Sequence, residues 1–411
     1  MRILGTLIKR ELFEHLTSSR YVVTSILCAV LCVMSIVLMS HDYANRRKRF
    51  DLSHNVSGLR QMPRDRLLIA RPPQPLSIIA KGTEEVIGRP LLISGGQHEE
   101  EPIAQVFNYY GEEHHLFDLF TTPDFVYVIS VVLSVLAIFI SYDAICGEKE
   151  THTISLLLSN SIRRSTLIMA KWIGGYTSLL ISLFPAIILM LIFIQTFSGV
   201  PLQPEHWIRL VGIIGLSLVY LSIFFTLGLL VSTLTHRSAT ALILVLFIWV
   251  IWALGAPRIG ILASRAIEPV QPGFAFRMAK REVRQGKWEQ DRENLWKMDD
   301  AYIATVDGQI GIGQHLSRLS PLASYIYAST TLAQTGISDM KDYRLRVSQW
   351  DRERKRSGDS GVQTPAYEFV HQTLTLQRSI SDIVIDVALL MLWNVLLFMS
   401  ANMVFLRYDV R

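Results

Sequence analysis

The chain has 411 residues, of which 50% are hydrophobic and only 18% charged, with a mean hydropathy of +0.32, a formal net charge of +5 and a pI near 9.0. In a soluble protein that basic balance would point to nucleic acid, but here the charge is concentrated in gaps between long apolar runs, so anionic lipid is the expected partner and nucleic acid is not. Cys28, Cys32 and Cys146 lie inside or at the end of apolar runs, which leaves no pattern for a disulfide framework.

In residues 1–19, Ile3, Leu4, Leu7, Ile8, Leu12 and Leu16 recur at helical spacing, with Lys9 and Arg10 mostly off that stripe. This is the pattern of a helix lying in the membrane interface, apolar side down. The charges Arg2, Lys9, Arg10, Glu11 and Glu14 precede a full-length apolar run with no small-residue cleavage pattern after it, so the first run is expected to stay in the mature chain. Apolar runs at 20–40, 125–142, 167–197, 207–234, 239–256 and 383–406 are each close to or above the ~20 residues a helix needs to cross a bilayer core. The predicted fold is an all-α polytopic membrane protein: six transmembrane helices, an N-terminal interfacial helix and two large extracytoplasmic insertions.

The first insertion, 41–124, opens on Arg46, Arg47, Lys48 and Arg49 and is punctuated by Pro72, Pro73, Pro75, Gly95 and Gly96, which predicts short strands and loops rather than long helices. Short connections at 198–206 and 235–238 make antiparallel hairpins of the third and fourth and of the fourth and fifth spans. Pro185 predicts a kink in the third span, with Ser182 or a neighbouring helix satisfying the freed carbonyl. The second insertion, 257–382, interleaves charges with Phe276, Trp288, Leu295, Trp296 and Ile303 and reads as mainly helical. In the last span, Asp386 lies close enough to the outer boundary to reach water, while Asn394 and Asn402 are expected at helix–helix contacts. Short loops carry Lys149, Arg163, Arg164, Arg237 and Arg407, which favours both termini, the loop 143–166 and the tail 407–411 inside, and both large insertions outside.

Between the second and third spans the chain reads Ser141-Tyr142-Asp143-Ala144-Ile145-Cys146-Gly147-Glu148-Lys149-Glu150-Thr151-His152-Thr153, then a leucine run through Leu156, Leu157 and Leu158, then Ser161, Arg163, Arg164 and Lys171. Physically this is a span leaving the membrane, a charged turn, a short helix with Ile154, Leu157 and Leu158 on one side and a basic return to the bilayer, suited to docking in a groove of a soluble partner. It resembles the ABC-2 type permeases, whose second span is followed by Asp, Gly-Glu, Gly-Thr, a leucine run, Ser-Arg and Lys. Lys9-Arg10-Glu11-Leu12 resembles that family's elbow helix, while Ser320-Pro321-Leu322-Ala323 and the terminal Arg407-Tyr408-Asp409-Val410-Arg411 resemble the multicopper-enzyme-maturation and gliding-motility branch. The sequence departs from the pattern at His152, where the family usually has Gly, and at Asn160, where Pro often stands.

The resemblance implies the membrane half of an ABC system in the bacterial inner (cytoplasmic) membrane, working by export or by mechanical transmission. It implies a cytoplasmic ABC ATPase subunit that binds ATP and Mg, no cofactor in this chain, and a second copy or related permease to complete the pathway. The outer insertions could then engage a periplasmic partner. Gly147, Glu148, Lys149, Glu150, Thr153 and Leu157 are the residues expected at the ATPase contact, and Lys9, Arg10, Arg163 and Arg164 at the membrane interface. A scaffold or enzyme acting through its outer domains is the alternative, and it would need a catalytic cluster there.

No Gly-x-x-x-x-Gly-Lys-Ser/Thr phosphate loop stands in the chain, so ATPase activity is not expected of it. Ile93-Ser94-Gly95-Gly96-Gln97 resembles an ABC ATPase signature but lacks that context and reads as a Gly-Gly turn. His98, His114 and His115 sit among carboxylates, but the two adjacent histidines lack the spacing for one helix face, so a solvated acidic surface is expected and no metal site is assigned.

Overall fold

The structure, a computed structural model, describes residues 2–58, 66–88, 91–94, 123–154, 163–197, 199–284, 288–359 and 373–407. It opens with α1 (Arg2–Leu16), which lies against the third long helix, and α2 (Ser19–Gly58). The first large insertion contributes strand β1 (Arg66–Ile69), a 3-10 turn Pro75–Ile78, the short α3 (Glu84–Ile87) and strand β2 (Leu91–Ser94), which pairs antiparallel with β1. Phe125–Tyr127, a π-helical segment Val128–Leu133 and Ser134–Ser141 run on as α4, followed by the five-residue α5 (Cys146–Glu150). Then come α6 (Arg164–Phe197) and α7 (Pro204–Leu234), and Ser238–Trp249, a second π segment Val250–Gly255 and Ala256–Ile267 run on as α8. The second insertion folds as α9 (Gly273–Arg284), α10 (Trp288–Ser317), α11 (Pro321–Leu332) and α12 (Ile337–Asp359), and α13 (Leu376–Arg407) closes the chain.

Six of these helical stretches are long and apolar enough to cross a membrane, as predicted, and the protein is a multi-pass membrane protein, α-helical throughout its described residues apart from the short β1–β2 pair. The helix α7 is the axle of the bundle, packing on α4, α6, α8, α11 and α13. Its own sequence permits this because small residues occur where neighbours come close: a Cβ on Gly228 would stand 2.0 Å from Ser141 Oγ on α4. Aromatic rings fill the centre, with Tyr220 stacked on Tyr325 at 4.6 Å between centroids. Their hydroxyls end on bundle partners, Tyr220 donating to the Ser130 carbonyl at 2.7 Å and Tyr325 paired with Ser217 at 2.8 Å, so the buried rings leave no phenol unsatisfied.

Three features differ from the sequence reading. Where Pro and Gly predict loops after residue 40, α2 continues to Gly58, because the prolines begin only at Pro63 and the polar extension is held by ion pairs Arg46–Asp42 and Arg47–Asp51 at i,i+4. Arg46, one of the basic residues beside a span for which anionic lipid is the expected partner, is buried and also donates to Ser77 Oγ at 3.0 Å. Asp386 is likewise buried rather than water-facing, held by Arg318 at 2.7 and 3.2 Å.

Helix α6 runs through Pro185, and Ser182 bonds Ser25 Oγ on α2 at 2.6 Å instead of the freed carbonyl. The π turn before Pro257 gives room for a ring that would otherwise meet the carbonyl four residues earlier. Asn394 does join helices, accepting from Ser222 Oγ at 2.7 Å and donating to the Val219 carbonyl at 3.1 Å. The second insertion is mainly helical, as predicted, with Phe276 of α9 stacked on Tyr302 of α10 at 4.2 Å. Pro257-to-Ser317 packing is close enough that a Cβ on Gly260 would lie 2.7 Å from the Ser317 backbone nitrogen.

The two large insertions form one cap. Arg71 donates to the Gln334 carbonyl at 2.9 Å, Thr83 bonds the Thr335 carbonyl through both its N–H and its hydroxyl at 2.8 Å, and Thr335 Oγ1 donates to the Ala80 carbonyl at 2.8 Å. Gly82, at φ +52°, passes so near that a Cβ would lie 2.3 Å from the Thr335 carbonyl oxygen. His98, His114, His115 and the Gly95-Gly96 turn lie outside the described residues.

Candidate functional site

At the end of the bundle opposite that cap, α4 stops at Ser141 and the chain turns through 142–145 into α5. The turn has no helical partners for its first amides, and α7 supplies one: Ser232 Oγ accepts from the N–H of both Ile145 and Cys146 at 2.9 Å. From there the three charged residues of the Gly-Glu-Lys-Glu segment go to three different places.

Glu148 turns inward and meets Lys171 of α6, Oε1 to Nζ 2.8 Å, while Lys171 also binds Glu11 of α1 at 2.9 Å. The Lys171 side chain is 4% exposed, so this carboxylate–ammonium–carboxylate set is shielded from water, and each charge depends on the others for stabilisation. A Cβ on Gly174 would lie 2.7 Å from Glu11 Cβ, so that glycine lets α1 seat closely enough for the bond. His15, one turn further along α1, has its pKa lowered chiefly by burial.

Lys149 donates from Nζ to the carbonyls of Thr233 and Thr235 (3.0 Å to the latter), capping the carbonyl end of α7 where a cation is favoured. Glu150 does the converse for α8, accepting from the N–H and the hydroxyl of Ser238 at 3.1 and 2.9 Å, at the positive end of that helix. A single turn of chain is thus bonded to α6, α7 and α8, and through Lys171 to α1.

Where the family resemblance implies Glu148 and Lys149 at a partner-facing surface, the structure directs both into the bundle, and the exposed residues are Glu150, Thr151, His152 and Thr153. Thr153 Oγ1 reaches Thr151 Oγ1 at 3.0 Å. Gly147 sits within α5 with its N–H on the Asp143 carbonyl at 2.9 Å. His152 has φ +58°, in the left-handed region that glycine enters without steric cost, which accounts for the Gly that permease sequences carry there. Leu157 and Asn160 lie outside the described residues. Lys9, Arg10 and Arg163 are exposed, whereas Arg164 donates to the Leu406 carbonyl at 2.9 Å and so ties α6 to the end of α13.

A family model described as ABC-2 family transporter protein matches residues 6–410. The chain belongs to that family. No curated protein matches it at a significant level of similarity. In this ABC-2 protein the match runs from α1 to the tail, so α1, the bonded turn and both large insertions fall within the family's extent. Sequence reasoning found the turn but not its inward partners. One signal was available: Lys171 stands in an apolar run, and a cation there requires a carboxylate. Ser232, Thr233 and Ser238 gave none, since hydroxyl residues at a span end are ordinary.

Proposed function

We propose that this ABC-2 protein is the membrane-spanning permease subunit of an ABC transporter and that the loop 143–166 receives the stroke of a separate cytoplasmic ATPase. ATP and Mg belong to that partner. Both termini and the turn lie in the cytoplasm of a bacterial inner membrane, with both large insertions outside, and a second copy or a related permease completes the pathway. The observation that carries this reading is the set of bonds just described: a load on α5 is delivered to α6 through Lys171 and from there to α1 through Glu11, to α7 through Lys149 and to α8 through Glu150. A turn that only linked two spans would need none of them. The exposed edge Thr151–Thr153, together with Leu157, supplies the docking surface, and Lys9, Arg10 and Arg163 hold the elbow and the return helix near lipid headgroups. The rigid cap built from both insertions suits export of a large substrate or transmission of force to a periplasmic partner.

Affinity purification of the full chain from its native membranes is expected to recover a phosphate-loop ATPase. Thr153→Arg is expected to reduce that recovery about tenfold without altering the thermal stability of the permease, in line with a charge placed in a partner's groove. A complex containing no ATPase, or recovery untouched by Thr153→Arg, would overturn the reading or the assigned edge respectively.

A further inference from the structure

The cap faces away from the turn, and something must carry movement between them. The geometry assigns that task to α7, with Arg209 as the joint that fastens its far end to the cap; this rests on the permease reading above and extends it to a residue that the coupling segment does not contain.

Arg209 is 1% exposed although it lies in an apolar helix. All three of its guanidinium nitrogens are used. Nε and Nη2 hold Glu205 Oε1 at 3.1 and 2.8 Å, which neutralises the charge within α7 itself. The remaining bonds all leave the helix: Nη1 to the Leu332 carbonyl at 3.2 Å and to Ser379 Oγ at 2.9 Å, and Nη2 to the Leu374 carbonyl at 2.9 Å. Those acceptors are the last residue of α11, the first turns of α13 and the segment just before it. From there the cap is reached in one step, because Gln334 donates to the same Leu374 carbonyl at 3.0 Å and accepts from Arg71 of the first insertion. Gly212, one turn on, lets Leu332 seat against α7, since a Cβ there would meet Leu332 Cδ1 at 3.0 Å.

The other end of α7 is held with equal care by Ser232, Thr233 and Thr235 through the turn. An α-helix transmits axial displacement because each residue is tied to the next turn, and the separation from Arg209 to Thr233 is about 36 Å at 1.5 Å per residue. At that distance two substitutions with no shared partner should act independently, so non-additivity between the two ends is a direct reading of transmission through the helix.

The test is a double-mutant cycle on the full chain in lipid nanodiscs, read by hydrogen exchange of the backbone amides at 333–340. Lys149→Met is expected to speed their exchange roughly tenfold while leaving the amides of α10 unchanged as an internal reference. In an Arg209→Met background the same Lys149→Met change is expected to add less than about twofold. Arg209→Lys, which keeps the charge but cannot span the separate acceptors, serves if Arg209→Met fails to fold, with the same loss of coupling expected. An equal effect of Lys149→Met in both backgrounds, or no effect at 333–340 in the native one, overturns the joint. No ATPase enters the experiment, so its outcome is independent of whether one co-purifies.

Discussion

Lys171 shows how a single side chain sets the stability of the candidate site. Its ammonium is surrounded by Glu11 and Glu148 and shielded from water, so its removal strands two carboxylates in a poor solvent for charge. Lys171→Met is expected to cost about 3–5 kcal/mol, measured as a loss of thermal or denaturant stability in detergent, whereas the triple change Glu11→Gln, Lys171→Met, Glu148→Gln is expected to recover most of it. A larger loss in the triple variant would mean that the set contributes through contacts other than its charge. The motif around Gly147 was legible in the order of its residues, but the direction each side chain takes was not. Adjacent positions on a short helix point about 100° apart, and which of them faces the bundle depends on where α6 and α7 stand.

Among the elements, α8 and α10 illustrate close packing imposed by glycine. Gly260 faces the backbone of Leu316 and Ser317, and a main chain cannot rotate aside as a side chain can. Gly260→Ala is therefore expected to destabilise by about 1–3 kcal/mol and to separate α8 from α10, seen as faster proteolysis of the second insertion with the other spans intact. The apolar runs predicted all six crossing helices because their signal is local and long. Helix extents beyond the apolar run were hidden for the same reason: the polar continuation of α2 past residue 40 depends on Asp42, Arg46 and Ser77 coming together, and Ser77 is 31 positions away. Helix α11 was hidden too. Every residue from Pro321 to Leu332 is buried, so it carries no amphipathic period for a sequence reader to detect.

For the molecule as a whole, the seam between the two insertions decides whether the cap is one body, and the cap contains carboxyl groups whose titration can be followed, Asp339 at the seam and Asp124 where the first insertion enters α4. Burial raises Asp339 to about 7 against the opposing pull of Arg71 and Arg209, with Glu84 adding to the rise, and burial raises Asp124 to about 7 against its bonds from Tyr127 and Lys81. Both groups hold protons in the folded state that the unfolded chain releases near pH 4. Their contribution to stability is therefore complete below that value and is lost as pH rises towards 7. Unfolding measured from pH 4 to 8 is expected to show this decline in the native chain and a shallower one in Asp339→Asn, while an unchanged slope would mean that Asp339 is ionised when folded. The sequence by itself determined that six helices cross a membrane, that one end carries a charged turn of the ABC-2 type and that the second insertion is helical, since each rests on residues near one another along the chain. Only the tertiary structure decided that Glu148 and Lys149 face inward, that Arg46 and Asp386 are buried in ion pairs and that Arg209 fastens α7 to the cap, because burial and partnership are properties of neighbours drawn from distant parts of the chain.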